Sequence, residues 1–249
     1  MTHNRLMFFS FSSGKNLSPQ GFTLVELAIA LMVIGLLIGG VLKGQELIEN
    51  ARITRAVKDI NDYDTSVMIF RNTYNALPGD IKKPTRIPNC SGSPCADVFG
   101  SGTGTIQTTF KSIRFWYHLE RAGLITGITE DVNYNDTSPL TSFEGYVIPL
   151  YSLTGNPELT TDPQKNRILL TDPSLGGTLY LNPVRAAAID GKLDDGKPLS
   201  GGMVMATQMT LGVVSGSVTR NNCVDNTSKE YLHNQSALCL FMTELSSMQ

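Results

Sequence analysis

The first sustained pattern along the chain is an apolar run from Phe22 to Leu42, FTLVELAIALMVIGLLIGGVL, whose only ionisable side chain is Glu26 and which contains no proline. As a helix it extends about 31 Å, enough to cross the hydrocarbon core of a bilayer. Beyond Lys43 the pattern turns periodic: Ile53, Ala56, Val57, Ile60, Tyr63, Val67, Phe70 and Tyr74 step by three and four, which draws one apolar stripe on a helix. Arg52, Arg55, Lys58, Asp59, Asp62 and Arg71 fall mostly on the other side. The string ALPGD at 76–80 predicts the stop, because Pro78 lacks a backbone donor and Gly79 frees the chain to turn. The reading is a single helix of about fifty residues that leaves a membrane and lays its stripe on a globular domain.

Residues 79–107 are rich in Gly, Pro, Ser and Thr and read as a loop. A second helix is predicted in TTFKSIRFWYHLERAGLI, with Phe110, Ile113, Trp116, Tyr117 and Leu124 on its buried face and Gly123 ending it. Short β-prone runs follow at 146–153, 167–170, 178–181, 203–207 and 212–219, separated by turn-forming clusters, as in an antiparallel sheet. Asn182 and Pro183 are placed as N-cap and first residue of a third, short helix over VRAAAID. The fold class is therefore α+β: a long N-terminal membrane-spanning helix packed on a C-terminal antiparallel sheet.

Composition narrows the function. With 41% apolar and 17% charged residues and a net charge of −2, the 249-residue chain can bury one sizeable core, and its scattered Lys and Arg leave no footprint for a phosphate backbone, so no nucleic-acid partner is expected. Four cysteines stand as two local pairs, Cys90 with Cys95 and Cys223 with Cys239, which favours disulfides among the three connectivities that four cysteines allow. Reduced, buried thiols in a cytosolic protein are the alternative. Zinc is disfavoured, because neither pair has C-x2-C spacing and His3, His118 and His233 lie far apart. Oxidised pairs would place the globular part outside the reducing cytoplasm. Arg5 and Lys15 precede the apolar run as in a secretory signal, but the run is longer than the usual apolar region of a signal, and VLKGQELIEN, not a small-residue cleavage site, follows it.

The string GFTLVELAIALMVIGLLIGG at 21–40 resembles the N-terminal signature of type IV prepilins and of type II secretion pseudopilins: a glycine, an aromatic residue, then glutamate at the fifth place of an otherwise uncharged helix. The strings ALPGD, FWYHLERAGLI and AAIDGKLDDGKPLSGG at 187–202 extend the resemblance through the soluble part to pilin-like proteins of Gram-negative bacteria. The resemblance implies a leader peptide at 1–21, cleavage by prepilin peptidase between Gly21 and Phe22, N-methylation of Phe22, and use of Glu26 in assembly. It also implies a membrane and assembly half-helix at 22–42, an amphipathic half at 43–77 and a globular α+β domain at 78–249. The expected partners are the peptidase, other pilin-like subunits in a homo- or heteropolymeric filament, an inner-membrane assembly platform and membrane lipid. The expected location is the inner membrane with the C-terminal domain in the periplasm, then a filament or the cell surface. The chain departs from the family in two places: its basic leader residues stand far from the cut, and Lys43 and Gly44 occupy the place of a helix-kinking proline. Counting Lys and Arg gives two before the span and four within twenty residues after it, which by the positive-inside rule favours the opposite orientation; the cysteine pairs and the leader signature favour the periplasm.

Asp190, Asp194 and Asp195, followed by Gly196, gather three carboxylates on one tight turn, which could hold Ca2+ although the spacing is not that of an EF-hand loop. The competing reading is that these aspartates cap backbone amides. No other cofactor is expected. His118 has no nucleophile and acid beside it in the sequence, so no catalytic residues are assigned and the chain is not expected to be an enzyme. The leading function is a pilin or minor pilin of a type IV pilus-like filament. The alternatives are a type II secretion pseudopilin, a single-span membrane-anchored receptor or binding protein, and a membrane-anchored hydrolase.

Overall fold

The computed structural model describes residues 21–92, 95, 100–106, 109–128, 137–143, 145–151, 165–171, 181–198, 200–201, 203–206, 209–211, 214–216, 223–225, 227–233 and 239–248. The chain divides into two compact units, the first ending at Leu47 and the second running from Ile48 to Gln249. Helix α1, Leu24–Tyr74, contributes residues to both. Its apolar stripe is buried in the second unit at Ile53, Ala56, Ile60, Val67 and Phe70, while Val57, Tyr63 and Tyr74 pack partly buried against the same core. The helix stops earlier than ALPGD predicts. Asn75 takes a left-handed conformation at φ 52°, its amide bonded to the Arg71 carbonyl at 2.8 Å, so the reversal precedes Pro78.

Helix α2, Thr109–Arg121, is buried at every position from Ser112 to Leu119, so it has no single buried face. Ile113, Trp116 and Tyr117 are buried as predicted, but Phe110 is exposed and Phe115 and Leu119 occupy the core in addition. The Trp116 indole donates to the Val147 carbonyl at 2.9 Å and meets Tyr63 and Phe115 edge-on. This indole therefore links α2 to α1 and to the sheet. Helix α3, Pro183–Leu193, begins as the sequence predicts, with the Asn182 side chain accepting the Arg185 amide at 2.8 Å.

Strands β1 (Tyr146–Tyr151), β2 (Asn166–Thr171), β3 (Met203–Ala206), β4 (Met209–Leu211), β5 (Val214–Gly216) and β6 (Leu240–Glu244) form two sheets. The larger has the order β1-β2-β6-β3 with every pair antiparallel, and β4 with β5 makes a separate pair. Pro149 sits in β1, at an edge, where a missing amide breaks no interior ladder. The run at 178–181 is described only at Leu181, which forms an isolated bridge with Cys239. Strands β4 and β6 both lie outside the runs that the sequence predicts, and β6 lies between β2 and β3. In the core strands Ile168, Leu169 and Leu170, like Phe241 and Met242, are buried consecutively, which means both faces of the sheet are covered there. Disulfides join Cys90 to Cys95 and Cys223 to Cys239, with Cα separations of 5.3 and 5.5 Å.

Candidate functional site

The head of α1 is built from Gly21, Phe22, Thr23 and Glu26. Thr23 caps the helix: its hydroxyl oxygen accepts the Glu26 amide at 3.2 Å, and Glu26 Oε2 receives the Thr23 amide and the Thr23 hydroxyl, both at 2.9 Å. The exchange is a capping box, and it is legible in the string TLVE, although the sequence reading treated Glu26 without Thr23. The glutamate is therefore already held at the helix start, where the positive end of the helix dipole favours it. No described residue donates to Glu26 Oε1. Every residue from Gly21 to Lys43 is exposed, and the most apolar stretch of α1 has a mean hydropathy of 2.5 with none of its residues buried. A Cβ added at Gly35, Gly39, Gly40 or Gly44 would meet nothing within 4 Å, so these backbones are open to close approach by another helix.

A second cluster lies where α1 ends. Asp80, almost fully buried, accepts from the Gly102 amide at 3.1 Å, the Gly104 amide at 2.7 Å and the Ser101 hydroxyl at 3.0 Å, and pairs with Lys111 of α2 at 2.6 Å. Burial alone would push its pKa up; the Lys111 ammonium and these donors outweigh it and hold the carboxyl below its usual range. The loop GSGTGTI at 100–106 is thus wrapped around one carboxylate. His118, 1% exposed, accepts the Gly79 amide on Nδ1 at 2.8 Å, which leaves Nε2 to donate to the Cys95 carbonyl at 3.2 Å. Burial, aided by the Arg114 guanidinium, brings its pKa down to about 4, against the opposing effect of the Cys95 bond. This histidine is a structural tie between α2, the end of α1 and the Cys90–Cys95 loop.

The third cluster comprises Asp190 in α3 and Asp194 and Asp195 just beyond it, which offer one oxygen each within 4.8 Å of one another. Asp195 accepts the Lys197 amide at 2.9 Å and the Ser200 hydroxyl at 2.6 Å, which lower its pKa, so the capping reading describes this residue. Asp190 is fully buried, and its Oδ2 receives the Tyr231 hydroxyl at 2.7 Å. Burial is the main reason its pKa rises to about 6; the Asp195 and Asp194 charges add to it, and the Tyr231 bond and the Gly196 amide oppose it. Tyr231 is brought there by the segment 223–232, which Cys223–Cys239 fastens beside the sheet.

Residues 18–42 match the family model described as the prokaryotic N-terminal methylation motif. No curated protein and no solved structure matches the chain.

Proposed function

We propose that this chain, a type IV pilin-like precursor by the class III signal that residues 18–42 carry, is a structural subunit of a type IV pilus-like filament. On this reading prepilin peptidase cuts between Gly21 and Phe22, the new Phe22 amine is methylated, and the helix joins those of other pilin-like subunits in the inner membrane. The observation that carries the reading is the head of α1: the methylation motif opens a helix whose apolar surface is exposed all round and interrupted by one carboxylate. A carboxylate in a membrane span costs about 2.5–3.5 kcal/mol near the centre and less toward an end, and so calls for a partner. Glu26 Oε2 is taken by Thr23, and Oε1 is left for the terminal amine of a neighbouring subunit, which fixes the axial register of helices that otherwise slide freely. The two disulfides agree with a periplasmic C-terminal domain.

The test is mass spectrometry of purified surface filaments. The expected chain begins at Phe22 with one added methyl group; intact precursor in the filaments, or a different cut, would refute the processing step. The capping box allows the charge to be tested apart from the cap. Glu26→Gln keeps an acceptor at the same place in the box and removes the charge, whereas Glu26→Leu removes both. Both variants should insert in the membrane and both should be depleted at least about tenfold from filaments, a loss equivalent to about 1.4 kcal/mol. Wild-type incorporation of the Gln variant would mean that Glu26 serves only its own helix. Recovery of the chain solely from a secretion complex would assign it to the pseudopilins instead.

A further inference from the structure

We propose that Lys82, Lys83 and Arg86 form a binding site for a doubly charged phosphate-ester group, a reading that goes beyond the assembly role above and does not depend on it. In the string IKKPTRI at 81–87 an apolar residue recurs at every third place, and Ile81, Pro84 and Ile87 are all buried. Three is the period of a 3-10 helix. Residues Pro84–Arg86 form such a turn, with the Arg86 amide on the Lys83 carbonyl at 3.2 Å and the Ile87 amide on the Pro84 carbonyl at 2.9 Å. Anchors at that spacing leave Lys82, Lys83 and Arg86 exposed together on one short, hydrogen-bonded segment. The Lys82 stem is packed as well, since a Cβ added at Gly102 would stand 2.5 Å from its Cε.

All three cations line one surface cavity of about 280 Å3 at the end of α1, with Tyr74, Asn75 and Gly102. Among the described residues none that lines it is acidic, and no carboxylate pairs with Lys82, Lys83 or Arg86. A neighbouring cavity of about 390 Å3 shares Asn75 and Gly102 and adds Arg71, and its one carboxylate, Asp80, is already taken by Lys111, Ser101 and two loop amides. Four cations therefore gather on a chain whose net charge is −2, with no free counter-charge among the described residues around them. The competing explanation is that cations collect at the negative end of a helix dipole. It accounts for Arg86, which donates to the Tyr74 carbonyl at 3.2 Å, but not for Lys82 and Lys83, which reach no helix carbonyl among the described residues. The chemistry of the donors selects the ligand. A guanidinium offers a planar fork to two phosphate oxygens while ammonium groups act as point charges on the rest, and two negative charges balance this site better than the single charge of a carboxylate. A nucleic-acid strand needs a longer basic track than one concave cavity provides.

The probe is inorganic pyrophosphate, titrated by calorimetry into the full chain in non-ionic detergent. Binding should be saturable and should weaken steeply as salt rises. Lys83→Ala is the cleanest variant, because the side chain is exposed and makes no hydrogen bond among the described residues; it should weaken binding at least about fivefold while leaving Tm unchanged. Arg86→Lys, which keeps the charge and loses the fork, should weaken it less than Arg86→Gln. Lys192→Ala removes an equal charge from α3 and should change nothing. Repeating the titration in phosphatidylcholine vesicles that carry phosphatidic acid or, at equal surface charge, phosphatidylglycerol separates the sources: competition by phosphatidic acid alone assigns the phosphate group to a lipid headgroup, and its absence assigns it to a soluble ester. Failure of the wild type to bind pyrophosphate saturably would overturn the proposal. So would binding that Lys83→Ala leaves at full strength, or that Lys192→Ala weakens equally.

Discussion

Replacing His118 by Asn keeps an acceptor where Nδ1 receives the Gly79 amide and removes a group that titrates, which makes the acid sensitivity of the α1–α2 corner measurable. The folded-state pKa of about 4 lies below the ordinary value of 6.5. Above pH 6.5 the imidazole is neutral in both states and contributes nothing that varies. Between 6.5 and 4 the unfolded chain binds a proton that the folded chain refuses, so stability falls as pH falls, and the loss is complete below 4. At about 1.4 kcal/mol per pH unit the loss is roughly 3 kcal/mol. Geometry gives the same sign: a proton on Nδ1 would face the Gly79 N–H at 2.8 Å, donor against donor. Of the groups facing His118, Arg114 is charged and opposes protonation, Phe70 stacks on the ring, and Cys95 offers a carbonyl. Asp190, with its pKa raised to about 6, contributes over much of the same range with the opposite sign, since the folded state there holds a proton that the unfolded state has lost. The wild-type profile alone therefore mixes opposing contributions, and the quantity to measure is wild type minus His118→Asn. Urea unfolding of the full chain in non-ionic detergent with chelator can be followed by Trp116, the sole and fully buried tryptophan. With a slope of about 2 kcal/mol/M, the wild type's advantage in midpoint should shrink by roughly 1.5 M from pH 7.5 to pH 4. Parallel midpoints across that range would refute the assignment of a neutral, proton-refusing histidine.

Two further experiments test how the second unit is held. At Gly100 an added Cβ would lie 2.1 Å from the Asp80 carbonyl carbon, so Gly100→Ala should cost about 2–3 kcal/mol, whereas Gly104→Ala, with φ at 76° but open space, should cost about 1 kcal/mol, both read by thermal unfolding. Arg185 forms a two-pronged pair with Glu49 and stands 5.0 Å from the centre of the Phe143 ring. A double-mutant cycle on Arg185 and Glu49 should give a coupling of about 1 kcal/mol that weakens in high salt, and zero coupling at low salt would show the pair to be incidental.

What the sequence disclosed depended on whether an element has one buried face. Helix α1 was legible because its second half buries one stripe and its first half none, so the periodicity from Ile53 to Tyr74 and the unbroken run before it point to different environments. Helix α2 was legible as a helix but not in its orientation, since burial from Ser112 to Leu119 leaves no polar side from which a stripe stands out. Strand β6 was missed for the same reason: Phe241 and Met242 are both buried, alternation vanishes, and a short apolar run carries no period of its own. Among the candidate site residues, the head of α1 was readable from local order alone. The partnership of Asp190 with Tyr231 was not, because 41 residues separate them and only the folded chain brings them together.

The order β1-β2-β6-β3 gives the domain a test of completeness. The last strand in chain order occupies an interior place, so β2 and β3 have no ladder partner in common until Leu240–Glu244 has emerged. Edge strands can be added to a sheet that already stands; this one cannot be left out without dividing it. A chain whose synthesis halts before β6 therefore presents two unpaired strand edges instead of a smaller domain, a form prone to pair with other chains. Only a chain that is complete through β6 closes this sheet.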